Sequence, residues 1–326
     1  MRRRAVAVTA TLAAMTLGAC GGDSEPTADA QADATPAAET RTVEHAMGTT
    51  ELTGTPERVV VLDTGELDSA VALGIEPVGA VEAIAGVGYP EYLAEEVEGV
   101  KTVGTIEQPN IEAIAALKPD LILSSKIRHE AIYDQLSRIA PTVFTEEVGV
   151  TWKENFAMHA EALGKTEQAE QLQGEYDEAV ASLEESLAED APSVSVVRSV
   201  GDEVRIYLKG NFIGTILEDA GLPRPEPQDS DEFSETATVE RIPDLDADVM
   251  FLSRYGDDHR LLNRLIDNRL WSRLGVVGSD RVYEVPDDLW FLGIGNFAAR
   301  QIVEDLETIL VDGERLPGDD GNPATE

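Results

Sequence analysis

The chain has 326 residues, 42% of them hydrophobic and 27% charged, a globular composition long enough for two domains with full cores. Asp and Glu number 63 against 25 Lys and Arg, a formal charge of -38, which excludes a phosphate-neutralising nucleic-acid surface and fits solubility, as in a salty habitat, better than a partner. In so negative a field, any Arg or Lys facing a cleft is a conspicuous positive spot.

Residues 1–19 read as a targeting segment. Arg2, Arg3 and Arg4 form a positive start, and 5–17 is an apolar run shorter than the ~20 residues a membrane-spanning helix needs. It ends in Leu17-Gly18-Ala19-Cys20, which resembles the bacterial lipoprotein box. That resemblance implies cleavage before Cys20, a lipid on its thiol, and a place outside the cytoplasm, on the outer face of the cell membrane or in the periplasm. The plainer alternative is a buried free thiol. Cys20 is the single cysteine, so an intramolecular disulfide is excluded. Residues 20–42 hold hardly any large apolar side chain and read as a disordered tether.

From 43 to 150, β-branched runs alternate with short helical patterns. Strands are predicted at 58–63, 77–81, 101–105, 120–125 and 142–146, with helices at 66–73, 111–117 and 132–139. This rhythm predicts a mostly parallel sheet covered by helices, with ligands at the carboxyl ends of its strands. Lys126, Arg128 and His129 follow one such end. The forked guanidinium of Arg128 suits a carboxylate or similar anion, although Lys126 and Arg128 could equally pair with surface acids.

Residues 151–192 are predicted to connect two halves. Thr151 and Glu154 fit a capping box opening a helix to 163. The next helix, 166–189, places Ala169, Leu172, Tyr176, Ala179, Val180, Leu183 and Leu187 on one stripe and Glu, Gln and Asp on the other. With one α/β domain's worth of sequence on either side, it reads as a strut between two lobes; a surface helix of one domain is the alternative. The half 193–312 again alternates: strands at 193–198, 204–208, 248–253 and 281–284, helices at 213–220, 238–242, 260–266 and 296–310. Residues 313–326 read as a disordered tail. Candidate ligand residues here are Arg198, Tyr207, Arg254, Tyr255, Trp290 and Phe291. Trp290-Phe291 stand out in a chain with 5% aromatics and read as an exposed platform on a loop, the alternative being a plug for the lobe core.

Several stretches, in order and at matching spacing, resemble the periplasmic-binding-protein family of ferric-siderophore receptors of ABC importers. They are Arg58-Val-Val-Val-Leu-Asp63, Val103-Gly-Thr-Ile-Glu-Gln-Pro-Asn-Ile-Glu112, Ile139-Ala-Pro-Thr-Val143, Arg205-Ile-Tyr-Leu-Lys-Gly210, Asp246-Ala-Asp-Val-Met-Phe-Leu252 and Trp271-Ser-Arg-Leu274. The resemblance implies two Rossmann-like α/β lobes with mostly parallel sheets, joined by the single long helix, which limits lobe rotation to a few degrees. It implies a monomeric receptor without enzymatic activity or cofactor, holding a ferric siderophore between the lobes for a permease and its ATPase. Glu112 and Glu240 match the acids, one per lobe, that such proteins set against permease arginines. Hydroxamate-binding relatives carry Trp-Phe-Tyr-Gly where this chain has Trp290-Phe291-Leu292-Gly293, and an Arg where it has Ile106. Lys126 and Arg128 resemble the basic residues of citrate-type receptors, which favours an anionic carboxylate or mixed siderophore, countered also by Arg198.

Competing readings remain at this point. Haem or cobalamin would also use aromatics and a broad cleft. Bare zinc or manganese needs several converging histidines, and there are four in all, His45, His129, His159 and His259. A surface-anchored enzyme would show a nucleophile elbow or Walker loop, and neither motif is present. Gly293-Ile-Gly295-Asn-Phe-Ala298 matches a dinucleotide fingerprint, but so late in the chain it reads as a loop entering the last helix.

Overall fold

The computed structural model describes residues 40–187, 190–319 and 321. The targeting segment, Cys20 and most of the predicted tether lie outside the described residues. The last three residues assigned to that tether, 40–42, lie in a strand. Strand β1 (Thr40–His45) pairs antiparallel with β2 (Gly48–Thr53), and the hairpin buries Val43 and Leu52 in the first lobe.

That lobe is built on five parallel strands, β3 (Val59–Val61), β4 (Gly79–Glu82), β5 (Lys101–Thr105), β6 (Leu121–Ser125) and β7 (Thr142–Thr145). The spatial order is β5-β4-β3-β6-β7, so winding reverses between β3 and β6. A crevice opens outside the carboxyl ends of strands at such a switch point, and here those ends deliver Asp63 and the 126–128 segment. Helices α1 (Thr64–Ala72) and α2 (Ile111–Leu117) are capped by Asp63 and Asn110, whose side chains accept from Thr64 N and Ala113 N. After β6 come two helical turns, α3 (Lys126–His129), which the sequence pattern did not predict, and α4 (Tyr133–Leu136), shorter than the helix predicted at 132–139.

α5 (Trp152–Leu163) starts where expected without its expected capping box. The Thr151 hydroxyl donates to Glu147 O at 3.4 Å rather than capping the helix. α6 (Thr166–Leu187) is the predicted strut, 22 residues and about 33 Å at 1.5 Å per residue. Its two halves belong to different cores. Ala169 and Leu172 pack with β3, β6 and α1 of the first lobe, whereas Tyr176, Val180 and Leu183 pack with the second. Tyr176 also donates to Asp219 at 2.6 Å and meets Trp152 edge-on.

In the second lobe β8 (Val194–Val200) pairs antiparallel with β9 (Glu203–Tyr207), and α7 (Phe212–Asp219) follows. A short strand, β10 (Ser234–Thr236), emerges from the Pro-rich loop to edge the sheet. The expected helix at 238–242 is instead a 3-10 run, Val239–Leu245, because Pro243 has no N–H for an α-helical ladder. β11 (Val249–Tyr255), α8 (Arg260–Ile266), α9 (Gly275–Gly278), β12 (Val282–Glu284) and α10 (Asn296–Leu310) complete the order β10-β9-β8-β11-β12, with β8, β11 and β12 parallel.

The tail expected to be disordered is docked as far as Asp319. Arg315 donates to Val282 O at 2.8 Å, pairs with Asp319 at 2.9 Å and stacks over Tyr283, while Leu316 is buried.

Candidate functional site

A narrow cleft of about 200 Å³ lies between the lobes. Asp63, Thr64, Ile106, Arg128, Val148 and Gly149 line it from the first lobe. Arg198, Arg205, Tyr207, Asn211, Phe212, Ile213, Phe233, Trp290, Phe291, Leu292 and Ile294 line it from the second.

The first-lobe wall grows from the switch point. Asp63 lies two residues past β3 and its side chain is 1% exposed; one carboxylate oxygen caps α1 and the other accepts from Arg128 Nε at 2.8 Å. Arg128, 39% exposed, therefore keeps both terminal nitrogens without a protein hydrogen bond among the described residues. One turn along α1, Glu66 is fully buried, with neither carboxyl oxygen hydrogen-bonded among the described residues. Burial, followed by the nearby Asp63 charge, pushes it up to about 8, which favours the uncharged form. The wall thus presents one balanced ion pair with a free guanidinium edge. His129 serves the backbone: Nε2 lies 2.6 Å from the Ile106 carbonyl and Nδ1 2.7 Å from Ser124 Oγ.

Arg198 departs from the role expected of it. Its Nε and one terminal nitrogen are bound by both oxygens of Asp287, at 2.7 and 2.6 Å, and the other terminal nitrogen donates to Tyr207 at 3.0 Å. The rings of Tyr255 and Phe291 each lie 4.9 Å from its central carbon. With its charge paired by Asp287 and each of its three nitrogens donating to a protein group, Arg198 orients the aromatic wall rather than offering an open edge to a ligand.

Trp290 is a correction as well. It lies in a π-helical turn, Asp288–Leu292, is 0% exposed, packs on Phe251 and donates to Asp305 at 2.8 Å. It plugs the lobe core; the exposed aromatic is Phe233, at 52%, backed by Tyr207 at 5.3 Å, which in turn meets the buried Phe291 edge-on at 4.8 Å. Arg254 is held by Glu284, and Tyr255 backs Arg198; neither lines the cleft. Lys126 lies in an adjoining shallow depression, paired with Glu146 at 2.7 Å.

Arg205 and Phe233 were missed. A signal for Arg205 was available, since it stands two residues from Tyr207 on β9 and so shares its face. Its guanidinium pairs with Glu203 at 2.8 Å at the cleft edge. Glu112 and Glu240 are exposed in the first helical turns after Asn110 and Thr238, one in each lobe. The histidines are dispersed: His45 contacts Thr50, His159 contacts Ser69 and His259 contacts Ser199. Among the described residues no three His, Cys, Asp or Glu side chains converge on a metal-sized site.

Two lobes joined through a long helix, with the cleft at a switch point, match a known architecture, and the sequence profile described as periplasmic binding protein fits residues 59–289. The chain belongs to the periplasmic binding protein family. This binding protein is 40% identical over 314 residues to the probable siderophore-binding lipoprotein YfiY of Bacillus subtilis, covering 92% of this chain and 95% of that one. It is 32% identical over 267 residues to the achromobactin-binding periplasmic protein of Dickeya dadantii, covering 78% and 86%. Among solved structures it resembles Staphylococcus aureus SirA complexed with staphyloferrin B, with a TM-score of 0.76 and 36% identity over 83% of this chain and 98% of that chain. The binding protein therefore has the predicted fold, two α/β lobes joined through α6.

Proposed function

We propose that this binding protein is the siderophore receptor of an iron-uptake ABC importer, and that its cleft takes an anionic ferric siderophore of carboxylate or mixed type. The observation that carries the ligand class is Arg128: Asp63 holds one edge of the guanidinium, and the other edge faces the cleft with no protein partner among the described residues. Arg205, paired with Glu203, lines the second-lobe side, and Phe233, backed by Tyr207 and Phe291, covers organic skeleton. The iron is held by the siderophore, so the receptor supplies shape and charge and needs neither a cofactor nor covalent chemistry. YfiY and SirA, whose names or complexes point to siderophores, support the reading. In this scheme the protein is a monomer tethered by lipid on Cys20, and Glu112 and Glu240 orient the cleft toward a permease backed by its ATPase.

The test is a tryptophan-fluorescence titration with ferric staphyloferrin B, ferric citrate, a ferric hydroxamate, haem, cobalamin and Zn²⁺. Saturable quenching by the ferric carboxylates, at lower concentration than by the hydroxamate, is expected. Saturation only by haem or cobalamin would overturn the assignment.

A further inference from the structure

The Gly293-Ile-Gly295-Asn-Phe-Ala298 stretch has the spacing of a phosphate-binding turn, and the fold uses it to receive a carboxylate. α10 starts behind Gly295, which has no side chain to cap the first turn. The free amides of Phe297 and Ala298 donate instead to the two oxygens of Asp68, each at 2.9 Å, and the Tyr92 hydroxyl donates to the second at 3.0 Å. Asp68 belongs to α1 of the first lobe and is fully buried. A helix terminus of one lobe is therefore capped by a carboxylate of the other, where both hydrogen bonding and the helix dipole favour it.

The fit requires missing side chains on both sides. A Cβ on Gly295 would lie 2.1 Å from an Asp68 oxygen, and one on Gly65 would lie 2.8 Å from the Ile294 carbonyl. The same two segments make the cleft floor, because Thr64 sits one helical turn before Asp68 and Ile294 immediately precedes Gly295. A second tie runs alongside, from Glu91 N to Asp288 at 2.6 Å.

We infer that Asp68 is a positioning residue for the cleft: by capping α10 across the lobe boundary it fixes the distance between the Thr64 and Ile294 walls and stops the lobes swinging about α6. The long helix alone does not account for this, since α6 joins the lobes through one rod, and a rod leaves rotation about its own axis free. The cap lies on the cleft side and removes that freedom.

The experiment is a spin-label distance measurement in the full chain with Cys20→Ser, labels at Glu112→Cys and Glu240→Cys, and no ligand, so its outcome is independent of what the cleft binds. The parent is expected to give one narrow distribution. Asp68→Ala is expected to broaden it about twofold or more, with Asp68→Asn, which keeps one acceptor oxygen, in between. Leu262→Ala, which opens a cavity inside the second lobe away from the boundary, serves as the stability-loss control and is expected to leave the width unchanged. An unchanged width in Asp68→Ala, or equal broadening in Leu262→Ala, would overturn the inference. Should Asp68→Ala fail to fold, Asp68→Asn and Tyr92→Phe decide it by the same comparison.

Discussion

Asp63 grips Arg128 through Nε alone, at 2.8 Å, whereas Asp287 grips Arg198 through Nε and a terminal nitrogen together. Tyr207 takes the remaining nitrogen of Arg198, so two further hydrogen bonds separate a guanidinium with an edge for a ligand from one that is part of the wall. Hydrogen bonds to charged groups contribute about 1.5–3 kcal/mol, so Arg128→Ala is expected to weaken ferric carboxylate binding by about 10- to 100-fold. Unchanged affinity in the fluorescence titration would remove Arg128 from the site.

The Arg198–Asp287 pair predicts a different outcome. Both side chains are 8% exposed, and removing one partner of a buried pair strands the other charge. Asp287→Ala is expected to lose about 3–5 kcal/mol in urea denaturation, whether or not a ligand is present. A loss below 1 kcal/mol would mean that solvent reaches Arg198.

Trp290→Phe distinguishes a core plug from a ligand platform. It keeps the ring against Phe251 and strands the Asp305 carboxyl, which burial already raises to about 6. A stability loss of about 1–3 kcal/mol with less than a twofold change in affinity is expected. A tenfold loss of affinity at preserved stability would return Trp290 to the site.

Glu66 makes stability fall with rising pH. Its folded value, about 8, lies above its ordinary 4.5, so its contribution is fully present below the unfolded value and is lost as pH rises through the folded one. Burial raises Asp68 to about 6 in the same sense, while burial lowers His159 to about 3 and opposes them below pH 6.5. Glu66→Gln is therefore expected to match the parent near pH 5 and to exceed it at pH 8, the gap opening by about 1.4 kcal/mol per pH unit at most. Parallel curves for the two proteins from pH 5 to 8, measured by urea denaturation, would contradict this.

Gly174 lies in the middle of α6, and a Cβ there would meet nothing within 4 Å. Gly174→Ala is expected to stabilise the protein by about 0.5–1 kcal/mol, seen as a higher urea midpoint, while leaving affinity unchanged. Destabilisation would show that the strut uses a bend at this glycine.

Much of the architecture was legible because it depends on short-range periodicity. Alternating β-branched runs and helical stripes predicted two α/β lobes, and the 3.6-residue stripe of Ala169, Leu172, Tyr176, Val180 and Leu183 predicted the strut. The chemistry at a strand end also showed locally, since Arg128 comes three residues after the end of β6. What the sequence could not assign was partnership. Arg198 and Arg128 are the same residue type, and only the fold sets Asp287, 89 residues away, against two nitrogens of one with Tyr207 on the third, and Asp63 against a single nitrogen of the other. Trp290 could be a platform or a plug until Phe251 and Asp305 closed around it. Asp68 looked like one more acid on an acidic chain until folding brought it to the amides of Phe297 and Ala298, some 230 residues on. Periodicity is written in neighbours along the chain, but charge pairing and burial depend on neighbours in space, so residue types were readable from sequence and their roles only from the tertiary structure.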